Sequence, residues 1–580
     1  MDVPAAPPAA DAYRAWVREH DTLTAEDRRA IRARVALLPR CPVISVVVPA
    51  SGGPEAAPRE TVASLRAQLY PHWELCMAEE GGGGACAAAN AALGSASGDF
   101  VALLRRGDVL PEHALYEVAA ELAAHPDADL VYTDEDDLGP GGREAPRFKP
   151  MWSPELLASH DSIGGLAVYR RALLERIGGL RPELAGAEHW DLALRATAAT
   201  TPDRVRHVPA VLCHRRRSAE APGDPGVRRR CRAAGLRAVR DHLDAQGAAG
   251  ALVEEAPSAP GCLRVVHPLP DPLPPVSVIV PTRDAAALLE EVCAGVLRAT
   301  DWGPLELLLV DNGSVEPQAL ALLSRLEAED GRVRVLRRPG PFNYPRLNNE
   351  AAREARGDVL VLLNNDIEVV EPGWLAALVR HALRRDVGVV GAKLLYPDGR
   401  VQHGGVVLGP DGAAEHVHRF AAGDAPGYLG QLALTRALSA VTGACAALRR
   451  EVYEEVGGLD EALAVAFNDV DLCLRVVDFG YRVVWTPDAV LTHVESASRG
   501  YEIADRARLA RANAERAFMR RRWGHLLDED PYHNPNLLLH AEPVTVPGPP
   551  RRQPPWRRAL ASADAGEARD PWDVPQPVHG

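Results

Sequence analysis

Short apolar runs, separated by turns and helical stretches, recur along the whole chain. Ile44–Val48, ended by Pro49, has the nearly continuous apolar pattern of a strand that is buried on both faces. The same pattern returns at Val276–Val280, ended by Pro281. Stretches with helical periodicity lie between such runs, so the sequence predicts an α/β fold with largely parallel strands.

The run Val359–Leu363 is the most informative of the predicted strands. It is entirely apolar, and Asn364, Asn365 and Asp366 follow it directly. In open α/β sheets, ligands bind at the carboxyl ends of the strands. Mg²⁺ and Mn²⁺ prefer oxygen ligands and need only one or two protein carboxylates. Asp366 is therefore a candidate for holding a divalent cation.

Matching segments in the two halves of the chain indicate a duplication. Glu74–Glu80 is separated from Glu306–Asn312 by the same number of residues as Ile44–Pro49 is from Val276–Pro281. Further matches follow in the same order: Gly98–Leu104 with Gly357–Leu363, Tyr169–Leu180 with Leu448–Leu459, Asp191–Arg195 with Asp471–Arg475, and His214 with His493. The sequence therefore predicts two copies of one α/β domain.

The remaining segments flank or connect these copies. We predict a helical lead-in over residues 1–40, a first domain over 41–250, a Pro/Gly-rich linker over 251–273 and a second domain over 274–540. Leu263–Val266 is a short strand candidate in the linker. Residues 541–580 are dominated by Pro, Arg, Ala and Asp, a composition that buries too little apolar surface to fold alone. We therefore predict a disordered tail.

Composition narrows the function classes. The 580 residues exceed what one core supports, and the formal net charge of -14, from 65 basic and 79 acidic residues, argues against a nucleic-acid partner. The nine cysteines form no CxxC pair, which fits a reducing compartment. The Pro/Ala-rich start is not a signal peptide, and no apolar run reaches the roughly 18 residues of a spanning helix. We expect a cytoplasmic protein, with peripheral attachment to the inner face of the membrane left open.

Three further positions of the second copy can carry chemistry, and each has a plainer alternative. Asp311 follows a strand and precedes Gly313, so its carboxylate can bind a nucleobase or ribose, or close an ordinary Asx-turn. His493 can be a second metal ligand or a structural histidine. Asp469 stands where a loop enters a helix, where the helix dipole favours its ionised form. It can act as a general base or simply cap the helix.

Together, the ordered motifs of the second copy resemble the inverting glycosyltransferases of family 2, which have the glycosyltransferase-A fold. The resemblance covers nearly the whole copy and rests on Pro281–Asp284, Asp311–Ser314, Phe342–Asn349, Leu363–Asp366, Thr442–Cys445, Gly457–Gly458, Asn468–Asp469 and His493. It implies two tandem glycosyltransferase-A domains, the Rossmann-like fold of nucleotide-diphospho-sugar transferases, with a helical lead-in and a disordered tail.

The resemblance also implies a role for each candidate residue. Asp469 would be the catalytic base. The nucleotide would contact Thr282, Asp284, Asp311 and Asn349, Mg²⁺ or Mn²⁺ would be held by Asp366 and His493, and the acceptor side would be formed by Thr442, Gly443 and Ala444. Family members often carry Asp-x-Asp where this chain has Asn364-x-Asp366, so we expect a lower metal affinity.

The first copy resembles the amino-terminal domains of two-domain bacterial glycosyltransferases that build O-antigen and related surface polysaccharides. Tyr132–Asp137 and Phe148–Pro154 carry this likeness. The implied reaction moves a sugar from a nucleotide-sugar donor to a hydroxyl of a glycan or lipid-linked glycan acceptor. Those relatives usually have Asp-His-Asp-Asp where this chain has Arg105-Arg106-Gly107-Asp108.

The first copy lacks the predicted chemistry. Arg105-Arg106-Gly107 aligns with Asn364–Asp366, Asp108 falls one place late, and His189 replaces Asp469. Arginines repel a divalent cation, so we expect a scaffold or acceptor-binding domain without metal-dependent transfer. The alternative keeps this copy active through Asp134–Asp136, which offers carboxylates to a cation.

Other function classes were weighed against this interpretation. A transferase with both copies active conflicts with the loss of the metal set in the first. A non-catalytic carbohydrate-binding or assembly protein conflicts with the complete set in the second. A nicotinamide-dependent oxidoreductase would need GxGxxG after an opening strand, and neither copy has it. His416 and His418 are expected to line or cover the acceptor cleft.

Overall fold

The computed structural model describes residues 10–50, 59–79, 84–216, 225–494, 506–539 and 547–558. Strands and helices alternate through the first half of the chain, residues 10–266. Its elements are α1 Ala10–His20, α2 Ala25–Val35, β1 Ile44–Ala50, α3 Arg59–Arg66, β2 Trp73–Glu79, α4 Gly84–Gly94, β3 Phe100–Leu103, α5 Ala114–Ala124, β4 Leu130–Gly139, β5 Gly142–Arg147, α6 Pro154–Ser159, β6 Ala167–Arg170, α7 Arg171–Ile177, α8 Glu188–Ala198, β7 Val205–Arg216, α9 Pro225–Ala245, β8 Leu252–Glu255 and β9 Leu263–Val266.

The second half, residues 276–539, follows the same alternation. Its elements are β10 Val276–Thr282, α10 Ala286–Ala294, β11 Leu305–Asp311, α11 Pro317–Glu329, β12 Val333–Arg337, α12 Tyr344–Glu354, β13 Val359–Leu363, β14 Ile367–Val369, α13 Trp374–Ala382, β15 Val387–Leu395, β16 Val401–His403, β17 Val406–Leu408, β18 Ala414–His416, β19 Arg436–Leu438, β20 Cys445–Arg449, α14 Arg450–Glu455, α15 Asn468–Asp478, β21 Arg482–His493 and α16 Arg506–Leu527. None of the helices in these described ranges is both long enough and apolar enough to cross a membrane.

Each half is built on one mixed sheet, which confirms the predicted α/β class. The first sheet has the order β2-β1-β3-β6-β4-β5, with β7 beside β4. The second has the order β12-β11-β10-β13-β20-β15-β21-β14, with β16 beside β15 and β19 beside β21. The path β2-β1-β3-β6-β4-β7 matches the path β11-β10-β13-β20-β15-β21. Each strand pair of the first path has the same direction, parallel or antiparallel, as the corresponding pair of the second.

Buried hydrogen bonds repeat between the halves as well. Ser45 Oγ donates to Glu74 at 2.5 Å and accepts from the Gly98 amide at 2.9 Å. Ser277 makes the same two bonds, to the corresponding glutamate at 2.6 Å and from the corresponding glycine amide at 2.7 Å. Because these contacts fix how the first and third strands of each sheet begin, the two halves share local geometry as well as strand order.

A hydrophobic cluster joins the two halves. It consists of Tyr13, Trp16, Phe148 and Val211 of the first half with Tyr428, Leu429 and Leu537 of the second. At its centre, the Tyr428 hydroxyl donates to the Pro146 carbonyl and accepts from the Phe148 amide, both at 2.9 Å. The loop that precedes β19 is therefore fixed to the first half by burial and by directional bonds together.

Two segments differ from their predictions. The predicted linker contains a β-hairpin, in which β8 pairs with β9. β8 was not predicted, because its sequence, Leu252–Glu255, is short and ends in polar residues. Residues 547–558 of the predicted disordered tail pack against the first half: Trp556 is buried and its indole donates to Asp27 at 2.8 Å, and Arg552 pairs with Glu117 at 2.7 Å. Composition averaged over the tail hid this anchor. Residues 541–546 and 559–580 lie outside the described part.

A buried cluster of charges also ties the halves together. Glu155, at the start of α6, bonds Arg384 at 2.7 Å and Arg482 at 2.9 Å, and Asp386 shares both arginines. Burial by itself would raise the pKa of Glu155, but Arg482 and Arg384 outweigh it and hold that pKa well below the usual range. Glu155 is therefore the ionised contact of the first half with two cations of the second.

Replacing Glu155 with Gln should weaken this contact, because two buried guanidinium groups then share one carboxylate. Breaking a buried ion pair costs about 3 kcal/mol or more, so the thermal unfolding midpoint should fall at pH 7. Since the folded-state pKa is depressed, the contribution of Glu155 is present above about pH 4 and is lost as the pH falls further. The difference in thermal unfolding midpoint between the variant and the unmodified protein should therefore become smaller below about pH 4. Glu175→Gln, at an exposed pair with Arg171, is the matched control; equal midpoints at pH 7 would contradict the assignment.

Candidate active site

The predicted site residues converge at one edge of the second sheet. β10 pairs in parallel with both β11 and β13, so the carboxyl ends of the three strands lie side by side. Thr282 stands opposite Asp311 in this register, and the Asn365 amide donates to the Thr282 hydroxyl at 3.4 Å. The ends of the strands that carry Thr282, Asp311 and Asp366 therefore form one continuous polar edge.

Asp366 and His493 are brought together by backbone pairing. β14 runs antiparallel to β21 with Ile367 opposite His493, and the Val494 amide donates to the Asp366 carbonyl at 3.0 Å. The Asp366 Oδ1 and His493 Nε2 atoms lie 3.1 Å apart. Two neighbouring ligands of an octahedral ion at about 2.1 Å are separated by roughly 3 Å, so this pair has the spacing that one cation requires.

The pair would supply only part of a coordination shell. Within the described ranges, no group of three or more His, Cys, Asp or Glu side chains is placed to hold a metal ion. Mg²⁺ and Mn²⁺ commonly take one or two protein ligands and complete the shell with phosphate oxygens and water. His493 Nδ1 is buried without a hydrogen-bond partner. These residues therefore fit a cation that arrives with a phosphate-bearing ligand.

The segment Thr442–Ala444 links the metal pair to Asp469. The Asn364 amide, at the end of β13, donates to the Ala444 carbonyl at 3.0 Å. The Gly443 amide donates to Asp469 Oδ2 at 2.8 Å, and the Tyr344 hydroxyl donates to the Gly443 carbonyl at 2.9 Å. Two adjacent residues, Gly443 and Ala444, thus connect the strand end before Asp366 with the carboxylate predicted as the base.

Asp469 is half-buried at the first turn of α15. Its Oδ1 accepts from the Val470 amide at 2.9 Å, and its Oδ2 accepts from Gly443. Phe467, just before the helix, has a left-handed backbone with φ 62° and ψ 5°, an uncommon conformation for a bulky residue. Both carboxylate oxygens of Asp469 thus accept backbone amides at the start of this helix.

Two predicted nucleotide contacts are engaged within the protein. Asp284 Oδ1 accepts from the Glu316 and Val315 amides, which lowers the pKa of Asp284. Asp311 is fully buried, and its oxygens bond Ser314 and, at 2.7 Å, Arg337. The Arg337 side chain that covers Asp311 is itself 48% exposed. Nucleotide contacts by Thr282, Asp284 and Asp311 stay predictions.

Asn349 is also engaged within the protein, and its predicted nucleotide contact stays a prediction. Its Oδ1 accepts from the Tyr453 hydroxyl at 2.6 Å and the Leu459 amide at 2.9 Å, and its Nδ2 donates to the Leu459 carbonyl at 2.9 Å. Asn90 makes the same pair of bonds to the backbone of Leu180 in the first half. This asparagine ties a helix to a Gly-Gly turn in both halves.

The register of the first half corrects the predicted alignment. Val109 bridges to His214 as Ile367 pairs with His493, so Asp108, rather than Gly107, stands in the position of Asp366, at the end of a turn one residue longer. Asp108 does not meet His214, whose Nδ1 lies 2.7 Å from Asp136. Burial raises the pKa of Asp108 to about 6, and its Oδ2 has no hydrogen-bond partner. The acid is kept, but its pairing is lost.

The acidic residues Asp134–Asp137 of the first half are paired with basic side chains of the same chain. Asp134 lies 2.9 Å from His207, Glu135 pairs with Lys149 and Arg215, Asp136 pairs with Arg143, and Asp137 pairs with Arg147. Each carboxylate is nearly fully buried. A cation at Asp134–Asp136 would have to displace these partners, which disfavours the alternative that this tract forms a metal site.

One residue near the site was missed by the sequence. His403 is fully buried and its Nε2 accepts from the Thr442 amide at 3.4 Å, beside the segment that reaches Asp469. Burial holds the pKa of His403 well below its usual range, so the ring is neutral and carries its proton on Nδ1. The ring centroids of His416 and His403 lie 4.7 Å apart. His418, by contrast, bonds the Gln431 side chain. No spacing pattern marks His403, because only the fold brings it to Thr442.

Comparison with known proteins shows which proteins this chain resembles. Residues 277–457 match the model of glycosyl transferase family 2. An uncharacterized protein, y4gI, from Sinorhizobium fredii is 39% identical, over 90% of this chain and 61% of its own length. The O-antigen biosynthesis protein RfbC from Myxococcus xanthus is 38% identical, over 93% of this chain and 43% of its own length. The chain thus spans about half the length of these two relatives.

A third relative matches a smaller part of the chain. The N-acetylglucosaminyl-diphospho-decaprenol L-rhamnosyltransferase of Mycobacterium tuberculosis is 29% identical, over 40% of this chain and 80% of its own length. The matched family segment begins in β10 and ends just after α14, so it contains the strand ends described above and the segment Thr442–Ala444. The resemblance drawn from the motifs is confirmed, in that residues 277–457 match the model of glycosyl transferase family 2.

Proposed function

We propose that this protein is an inverting, metal-dependent glycosyltransferase that moves a sugar from a nucleotide-diphosphate donor to a hydroxyl of a glycan acceptor. One observation carries the proposal. The Gly443 amide bonds Asp469, and the adjacent Ala444 carbonyl bonds the Asn364 amide, two residues before Asp366. The proposed base and the two proposed ligands of the cation are thereby held close together. Displacement of a diphosphate requires a base and a cation in this arrangement.

In the proposed reaction, Asp469 Oδ2 removes the proton from the acceptor hydroxyl. The hydroxyl oxygen forms a bond to the anomeric carbon from the face opposite the nucleotide diphosphate, and the bond from that carbon to the diphosphate oxygen breaks. The anomeric configuration is inverted, and the proton remains on Asp469. A divalent cation held by Asp366 and His493 would neutralise the charge that develops on the departing diphosphate.

The acceptor class is suggested by the named relatives. The Myxococcus relative is named for O-antigen biosynthesis, and the mycobacterial relative is named for transfer onto a diphospho-decaprenol-linked sugar. A glycan or lipid-linked glycan of a cell-surface polysaccharide is the acceptor that these names support for this chain. Association with the inner face of a membrane would follow from a lipid-linked acceptor.

We infer that the first half, proposed as a degenerate glycosyltransferase-A domain over residues 41–250, is a scaffold for the catalytic domain over 274–540. Three observations support this role. Asp108 does not meet His214, the acids of Asp134–Asp137 are paired internally, and Tyr428 anchors the loop before β19 in the first half. The first half thereby holds one wall of the acceptor side in place.

Substituting the metal pair tests the single-site proposal. Asp366→Asn and His493→Ala should each lower Mn²⁺-dependent nucleotide release from a panel of nucleotide sugars by more than roughly 100-fold, because the cation loses a direct ligand. Mn²⁺ binding, followed by electron paramagnetic resonance, should weaken in parallel. His214→Ala, at the corresponding position of the first half, should leave both unchanged. Appreciable residual transfer by Asp366→Asn would contradict the proposal that the second half holds the single site of transfer.

The base is tested by Asp469→Asn, which keeps the shape of the side chain and removes its basicity. We expect kcat to fall by roughly 10²- to 10⁴-fold, the usual contribution of a general base. The KM for the donor and the binding of Mn²⁺ should change little, because Asp469 lies on the acceptor side. Transfer at an unchanged rate would remove Asp469 from the mechanism.

Asp108→Asn tests the loss of function in the first half through stability. A folded-state pKa of about 6 lies above the ordinary aspartate value, so ionised Asp108 destabilises the fold at higher pH. The variant should gain on the order of 3 kcal/mol at pH 8 and show little difference near pH 4, while transfer stays unchanged. Thermal unfolding at the two pH values measures this. A lower midpoint at pH 8, or lost transfer, would instead indicate a working role for Asp108.

A further inference from the structure

Helix α16 lies outside the matched family segment. It contacts the loop just before α15, the helix that carries Asp469 in its first turn. Glu515, on this helix, is 4% exposed. Its two carboxylate oxygens accept hydrogen bonds from two consecutive amides, those of Val465 at 3.0 Å and Ala466 at 3.1 Å. Hydrogen bonds to an ionised carboxylate are among the strong ones in proteins. Glu515 therefore fixes the backbone three and four residues before Asp469.

The backbone between this contact and the base is unusual. Phe467 has φ 62°, which a bulky residue adopts only where its surroundings impose it. The Asn468 amide group donates to the carbonyls of Leu463 at 3.2 Å and Val465 at 2.9 Å. The turn that aims Asp469 is thus closed on itself by Asn468 and held from outside by Glu515.

The same helix contacts α15 a second time. The Trp523 indole donates to Asp471 Oδ1 at 2.9 Å, and Asp471 also pairs with Arg475 at 2.8 Å. Because α16 holds both the loop before α15 and the first turn of that helix, movement of Asp469 relative to Gly443 is restricted on two sides.

The first half offers an internal comparison. α9 follows β7 as α16 follows β21, and it lies against the corresponding loop. There Cys231 of α9 packs on Gly186, three residues before His189, which stands where the second half has Asp469. α9 thus supplies a thiol rather than a carboxylate at this position, and the Gly186 amide donates instead to Glu188, within its own segment.

We propose that Glu515 is a positioning residue for the catalytic base. Its carboxylate holds the amides of Val465 and Ala466, imposes the turn at Phe467 and keeps Asp469 directed toward the acceptor side. This proposal rests on the proposed function, which makes Asp469 the base. Glu515 itself does not touch the reacting atoms.

The test compares Glu515→Ala and Glu515→Gln with Glu454→Ala, an exposed acid on α14, in the full chain. Hydrogen exchange at the amides of residues 460–469 should accelerate roughly tenfold or more in Glu515→Ala, because two amides lose their acceptor. With a donor on which the unmodified protein is active, kcat should fall by roughly 10- to 100-fold, since small misplacement of a base has effects of this size. The donor KM should stay within about twofold.

The conservative variant separates positioning from general stability. Glu515→Gln keeps one acceptor oxygen, so its exchange rate and kcat should lie between those of the alanine variant and the unmodified protein. The control should match the unmodified protein. Unchanged exchange over 460–469, unchanged kcat, or accelerated exchange throughout the second half would each overturn the proposal.

The two proposals fail in different ways. No transfer by the unmodified protein with any donor would overturn the proposed function and, with it, the catalytic consequence of the clamp. Hydrogen exchange needs no substrate, so it still decides whether Glu515 holds the loop. Full transfer by the unmodified protein together with an unaffected Glu515→Ala would overturn the clamp alone.

Discussion

The antiparallel pairing of β20 with β13 is the constraint on which the candidate site depends. Leu363 lies opposite Cys445 in this ladder, so the residues before Cys445 must run past the end of β13. The segment Thr442–Ala444 is therefore placed beside Asn364 by backbone geometry, before any side chain is considered. Asp469 then bonds an amide of that segment, and Asp366 follows Asn364 by two residues. The proposed base and the proposed metal ligands are thus positioned by strand register, a rigid reference that a flexible loop could not supply.

The two halves show how the same register can carry different chemistry. Both keep the strand path, the serine–glutamate bond and the asparagine that ties a helix to a Gly-Gly turn. Both also place a carboxylate beside the histidine-bearing strand. In the first half, however, Asp136 bonds the histidine, and Asp108 is left buried with its Oδ2 atom unbonded. The histidine of the first half thus has a different side-chain partner from that of the second, while the backbone bridge beside it is kept.

The sequence predicted what depends on local patterns. Apolar runs such as Val359–Leu363 gave the strands, and repeated motifs gave the equivalence of the halves. It could not resolve details that depend on tertiary register: the turn before Asp108 is one residue longer than the alignment assumed, and only the Val109 bridge to His214 reveals it. His403 and Glu515 were missed for the same reason, since nothing in their neighbouring residues distinguishes them from ordinary buried or helical positions. The packing of residues 547–558 depends on one tryptophan, whose effect composition averages away.

The contact between the halves gives the first half a physical role even without transfer. The loop before β19 contains Leu429 at φ 50° and buries Tyr428 in the first half, where both hydroxyl bonds go to backbone groups. The same loop provides carbonyls for two buried cations: Lys393, whose pKa burial lowers to about 8, and Arg436, whose pKa burial lowers to about 9. Neither has a carboxylate at ion-pair distance among the described residues. Burying such groups is costly unless their donors are fixed on partners. A loop that must satisfy two buried cations and a strained residue needs outside support, and the first half supplies it through the cluster around Phe148.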